Sequence, residues 1–169
     1  FADFDEDGRV DLFVTNGMTR DYSDSDVRQQ LKNKDRWKDF DLAHWMAQPP
    51  RKEENLAFKN LGDLSFQSVS KDWGLGANSV SFGAATGDLD GDGDLDLLTH
   101  PVNGPLVLFR NGSQTGHSIL FEFEDHLGNR DGIGARLVLT EESGEVQSRE
   151  IQLGGGFMSF DAPQVHFGL

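Results

Sequence analysis

The chain has 169 residues, no cysteine and a formal charge of -14, which excludes disulfides, thiolate zinc sites and a cysteine nucleophile. A surface this acidic repels nucleic acid and anionic membranes, so neither is an expected partner. With 36% hydrophobic residues, 20 glycines and 13 phenylalanines, the composition is that of a loop-rich globular protein, long enough for one domain or two small ones.

The chain opens on Phe1-Ala2, directly against an aspartate-rich loop, Asp3–Asp11. A strand is expected before such a loop and is missing, which points to a fragment of a longer protein. The missing signal peptide therefore says little, and no apolar run is long enough to span a bilayer. Asp11-Leu-Phe-Val-Thr15 reads as a short strand. From about 23 to 50 the residues are helical in type: Asp24 or Ser25 can cap, Val27, Leu31, Trp37, Phe40, Leu42, Trp45 and Met46 supply apolar contacts, and Pro49-Pro50 stops the run. A short helical insert anchored by its two tryptophans is expected there.

Leu56-Ala-Phe-Lys-Asn60 reads as a strand, followed by a Gly62-Asp63 turn and an alternating strand, Ser65–Val69. A second aspartate loop, Asp88–Asp96, begins 85 positions after the first. It runs into the strand Asp96-Leu-Leu-Thr99 and then Leu106–Asn111, which again ends aromatic, basic, Asn. The two loops with their following strands form an internal repeat, the signature of a propeller or solenoid. Beyond a short linker, Gly112–Gly116, the segments Ile119–Phe123, Ala135–Thr140, Glu145–Leu153 and Val165–Phe167 predict a compact four-stranded β unit. Gly154-Gly155-Gly156 reads as a tight β connection rather than a phosphate cradle.

Both loops obey D-x-D-x-D-G-x-x-D. Calcium takes six to eight hard oxygens in flexible geometry, and alternate carboxylates on a curled loop converge on one ion. The glycine at position six permits a backbone angle that a β-carbon would penalise. The expected ligands are the side chains of Asp3, Asp5, Asp7 and Asp11 with the Arg9 carbonyl, and those of Asp88, Asp90, Asp92 and Asp96 with the Asp94 carbonyl. Two Ca2+ sites are thus predicted. The second is expected to be the better ordered, because the first opens the chain. No helix pattern flanks either loop, which argues against an EF-hand, and magnesium fits less well because it demands octahedral geometry. Without a counterion, so many carboxylates within nine residues would repel one another strongly. Extracellular calcium modules bind in the range of about 10⁻⁴–10⁻³ M, which favours an extracytoplasmic location: secreted, cell-surface or periplasmic.

Phe82-Gly-Ala-Ala85 followed by Asp88–Asp96 resembles the FG-GAP, or VCBS, repeat, whose copies form the blades of integrin-α-like propellers with calcium in the hairpin between the first two strands. Asn55–Leu75, with Lys59-Asn60, Gly62-Asp63, Phe66 and Trp73-Gly74-Leu75, resembles the segment joining one such repeat to the next. The tail resembles the ASPIC/UnbV domain through Asn129–Arg136, Gly154–Ser159 and Val165–Leu169, as in cartilage acidic protein-like and bacterial VCBS surface proteins. These resemblances imply an all-β chain: a partial β-propeller of about two blades with the helical insert over 1–112, then a small C-terminal β domain over 113–169. Propellers of this kind carry about seven blades, so the remaining blades are expected in the full-length chain. The ASPIC/UnbV domain implies no particular activity.

The five histidines (His44, His100, His117, His126, His166) show no metal-ligand spacing, His166 reads as structural, and no nucleophile or cofactor motif occurs. Asn111-Gly-Ser113 is a glycosylation sequon. Three readings remain open. The first is a non-catalytic calcium-binding surface module that engages a protein or glycan. The second is a carbohydrate-binding accessory of a nutrient-uptake or polysaccharide-degrading system, using Trp37, Trp45 or Trp73. The third, an enzyme, has the least support.

Overall fold

The computed structural model describes residues 1–20, 25–26, 47, 49–113, 116–152 and 154–169. Most of the expected helical insert, including Trp37 and Trp45, lies outside the described residues. Among the described residues the chain is all-β, with twelve short strands in five small sheets, none of them closed.

Two three-stranded antiparallel sheets correspond to the two sequence repeats. In the first, β1 (Leu12–Val14) pairs with β3 (Leu56–Gly62), which pairs with β4 (Ser65–Ser68). The β3–β4 turn runs through Asp63 and Leu64, both at positive φ, 50° and 58°, the backbone twist that suits a tight hairpin. In the second, β6 (Ser81–Gly87), β7 (Asp96–Pro101) and β8 (Val107–Phe109) pair in chain order. The second aspartate loop is therefore the connection of the β6–β7 hairpin, closed by the Gly87–Asp96 pair. The first loop has a trace of the same frame, since Ala2 and Asp11 exchange backbone hydrogen bonds as an isolated bridge. A further pairing joins β2 (Glu53–Glu54) to β5 (Asn78–Ser79).

Both repeats feed one apolar cluster. Ala2, Phe4, Ala57, Val69, Leu75 and Leu97 are buried, with Phe13, Trp73, Leu95 and Phe109 packed around them. Phe4 and Trp73 meet edge to face at 6.2 Å, so Trp73 serves the core. Thr15 Oγ1 donates to the Phe82 carbonyl at 2.9 Å and ties the first repeat to the second.

The four strands expected in the tail pair two by two. β9 (Ser118–Glu122) pairs with β12 (Gln164–Gly168), while β10 (Arg136–Thr140) pairs with β11 (Val146–Glu150) in a separate two-stranded sheet. The two sheets share apolar side chains instead of a backbone ladder: buried Ile151, Val165 and Phe167 with Phe121, Phe123, Leu137 and Leu139 around them. Burying such side chains contributes roughly 1.5–3 kcal/mol each, which explains how strands this short hold their register.

Candidate metal centre

The backbone of each loop wraps the first aspartate of its motif. Asp3 accepts from the N–H groups of Asp7 and Gly8 at 3.1 and 2.9 Å; Asp88 accepts from Gly91 and Gly93 at 2.7 and 3.1 Å. Positions four and six curl left-handed in both loops: Glu6 and Gly91 at φ 59° and 79°, Gly8 and Gly93 at 82° and 98°. Glycine avoids the Cβ cost of that conformation. The fifth-position carboxylates, Asp7 and Asp92, each accept from the residue two further on, Arg9 at 3.0 Å and Asp94 at 3.2 Å.

The last aspartate of each loop has a different task. Asp11 accepts from Phe4 N and Asn60 N at 3.1 and 2.8 Å, and Asp96 accepts from Leu89 N and Asn111 N at 3.2 and 2.8 Å. One carboxylate thus joins the loop to the third segment of its own repeat. The asparagine completes the frame by accepting from the residue two positions on, Gly62 at 2.9 Å or Ser113 at 3.1 Å. Asn60 also donates to the Val10 carbonyl at 3.0 Å, whereas Asn111 reaches back to the Phe4 carbonyl at 2.8 Å. With both ends of its amide engaged, the Asn111 side chain of the sequon serves the fold.

Two clusters of carboxylates result. Asp3, Asp5 and Asp11 bring ligand oxygens within 4.8 Å of one another, as do Asp88, Asp90 and Asp92. Either cluster could hold a metal ion. Of the remaining expected ligands, Asp7 stands beside Lys59 at 3.0 Å, and Asp96 is buried under its two backbone donors. The first loop is the more enclosed, with Asp3 at 2% exposure and Asp11 at 0%, whereas Asp90 and Asp92 face solvent. Burial pushes the carboxyls of Asp3 and Asp11 up to about 6, with neighbouring carboxylates adding to it and backbone donors opposing it. Glu6, 3% exposed, is pushed up to about 7, first by burial and then by the Asp94 carboxyl of the other loop.

The donor set suits a hard cation: three carboxylates per cluster, no sulfur and no imidazole within it.

Several participants carried no recognised signal in the sequence. Lys59 pairs with Asp5 and, at 3.0 Å, with Asp7. Arg110 pairs with Asp90 and, at 3.1 Å, with Asp92. The repeated aromatic-basic-Asn triplet was visible, but its distance from the loop differs between the repeats and gave no sign of this role. The tail contributes too. Ser118 donates to the Gly93 carbonyl at 2.8 Å, Arg149 to the Gly8 carbonyl at 3.2 Å, and Gln164 accepts from Asp88 N at 3.3 Å. A β-carbon at Gly8 would meet Gln147 Nε2 at 2.9 Å, and one at Gly93 would meet Ser118 Oγ at 3.2 Å. His166 lies buried in β12, and burial holds it below its ordinary value. Asp161 accepts from Thr86 N and Oγ1 at 2.7 and 3.1 Å, and its carboxylate fills the space a side chain at Gly155 would need. The glycine triplet is therefore a β connection pressed against β6.

Residues 126–169 match the family described as ASPIC and UnbV. The match begins after β9, yet β9 supplies the ladder partner of the closing strand β12. The chain has no significant match among curated proteins or among solved structures.

Proposed function

We propose that this chain is a non-catalytic, calcium-binding part of an extracytoplasmic protein, built of two FG-GAP/VCBS-like propeller blades closed by the ASPIC/UnbV-type tail. The observation that carries the reading is the repetition of one hydrogen-bonded frame at two loops 85 positions apart, each gathering three carboxylates within 4.8 Å. Acidic groups also cluster without an ion, but one frame that gathers three carboxylates at both loops supports a shared cation-binding role.

Calcium in such a loop supplies charge neutralisation and a fixed loop shape. Asp3, Asp5 and Asp11 would hold it in the first loop, and Asp88, Asp90 and Asp92 in the second. Asp7, Asp96 and the carbonyls of Arg9 and Asp94 complete the proposed ligand set. The chain's own residues then present the neighbouring surface to a protein or glycan. An extracytoplasmic location follows from the millimolar affinities of comparable modules. No helix among the described residues is long and apolar enough to cross a membrane.

The test is a pair of thermal melts, one in chelator and one in millimolar calcium. Calcium is expected to raise the melting temperature, and Asp90→Ala with Asp92→Ala to remove the share belonging to the second loop. An unchanged melt would overturn the reading.

A further inference from the structure

Each repeat places one basic side chain over the same two positions of its own loop. Lys59, on β3, pairs with Asp5 and Asp7, positions three and five of the first loop. Arg110, directly after β8, pairs with Asp90 and Asp92, positions three and five of the second. The two residues hold equivalent places, between an aromatic (Phe58, Phe109) and the asparagine whose N–H caps the last loop aspartate. The correspondence therefore occurs twice, with different cations and the same partners.

We propose that Lys59 and Arg110 are tethered counterions that hold the metal-free loops in shape and compete with a divalent cation for positions three and five, thereby setting how tightly each loop binds. The inference rests on reading the loops as metal sites. An ammonium or guanidinium within hydrogen-bond distance of a carboxylate takes lone pairs that a cation would otherwise use, and its charge repels an incoming ion. Loading a loop therefore requires the basic side chain to withdraw.

The cost of withdrawal differs between the two. The Arg110 side chain is 67% exposed and can swing into water, while that of Lys59 is 28% exposed and wedged between Asp5 and Asp7. The second loop therefore fills at lower calcium than the first. The tethered cation also limits self-repulsion among the loop carboxylates.

The test uses calcium titration calorimetry and chelator melts on the whole chain, comparing wild type with Lys59→Met and Arg110→Met. Methionine keeps the aliphatic bulk and removes the charge. Each substitution is expected to tighten calcium binding at its own loop by about tenfold, the scale of one charge-assisted pair, and to lower the melting temperature in chelator. Lys59→Arg is expected to restore wild-type behaviour. If Lys59→Met folds poorly, Arg110→Met remains decisive, since it alters a mostly exposed side chain. Calcium binding by wild type with unchanged or weaker affinity in the methionine variants would overturn the counterion role alone. No calcium binding by any of the three would overturn the metal reading and this inference with it.

Discussion

Arg149 donates from its guanidinium to the Gly8 carbonyl at 3.2 Å while lying 5.3 Å over the ring of Phe167. One tail residue thereby connects the tail core to position six of the first aspartate loop. Ser118 makes the matching contact to Gly93 in the second loop at 2.8 Å. The tail grips the same atom of both loops from two different sheets, so loop shape and tail docking form one energetic unit.

Arg149→Ala removes a charged donor from the half-buried Gly8 carbonyl together with the contact over Phe167. Losses of about 2–3 kcal/mol are expected, readable as a lower urea midpoint with an unchanged slope. Calcium affinity at the first loop should weaken several-fold in the same variant. Wild-type values on both counts would show that the tail rests on the loop without supporting it.

Asn60 and Asn111 test the frame that the two repeats share. Asn111→Ala removes the donor to the Phe4 carbonyl and the acceptor of the Ser113 N–H, and Asn60→Ala removes the donor to the Val10 carbonyl and the acceptor of the Gly62 N–H. Each should cost about 1–3 kcal/mol. Asn111→Ala should be the worse, because its amide also bridges to the preceding loop. Equal, negligible effects in thermal melts would count against the frame.

The pH dependence differs with and without metal. Asp3 and Asp11 titrate near 6 in the folded chain and near 4 when unfolded. Between those values the folded state binds more protons than the unfolded state, so the contribution of this pair to stability is full below about 4 and declines as pH rises through 6. Calcium competes with those same protons. The melting-temperature gap between calcium and chelator should therefore widen from pH 5 to pH 7. A constant gap would show that these carboxyls do not ligate.

Much of this was legible in the chain. The aspartate loops announced themselves by spacing, and strands such as Leu56–Gly62 and Asp96–Pro101 followed from apolar runs bounded by turn residues. Strands joined by a turn, such as β3 and β4 across Gly62-Asp63, were legible as pairs, whereas partners distant in sequence were not, because period-two alternation fixes a face but not a neighbour. That is why the pairing of β9 with β12, apart from the β10–β11 hairpin, was not foreseen. β6 lacks an alternating apolar face: Phe82-Gly-Ala-Ala-Thr86 is small-sided, and Asp161 and Phe157 of the tail cover it. Nor could the first loop's enclosure be read from its place at the start of the chain. Packing of Gly116 and Gly168 against Glu6 makes it the more buried of the two. The roles of Lys59 and Arg110 depend on side chains meeting across a repeat, which local pattern does not encode.

The central claim is that both loops hold a divalent cation. Calcium titration calorimetry on the chelator-stripped chain measures it most directly. The account predicts two equivalents bound by wild type and one by Asp90→Ala with Asp92→Ala. Absence of binding at millimolar calcium, or a stoichiometry unchanged by the double substitution, would contradict it.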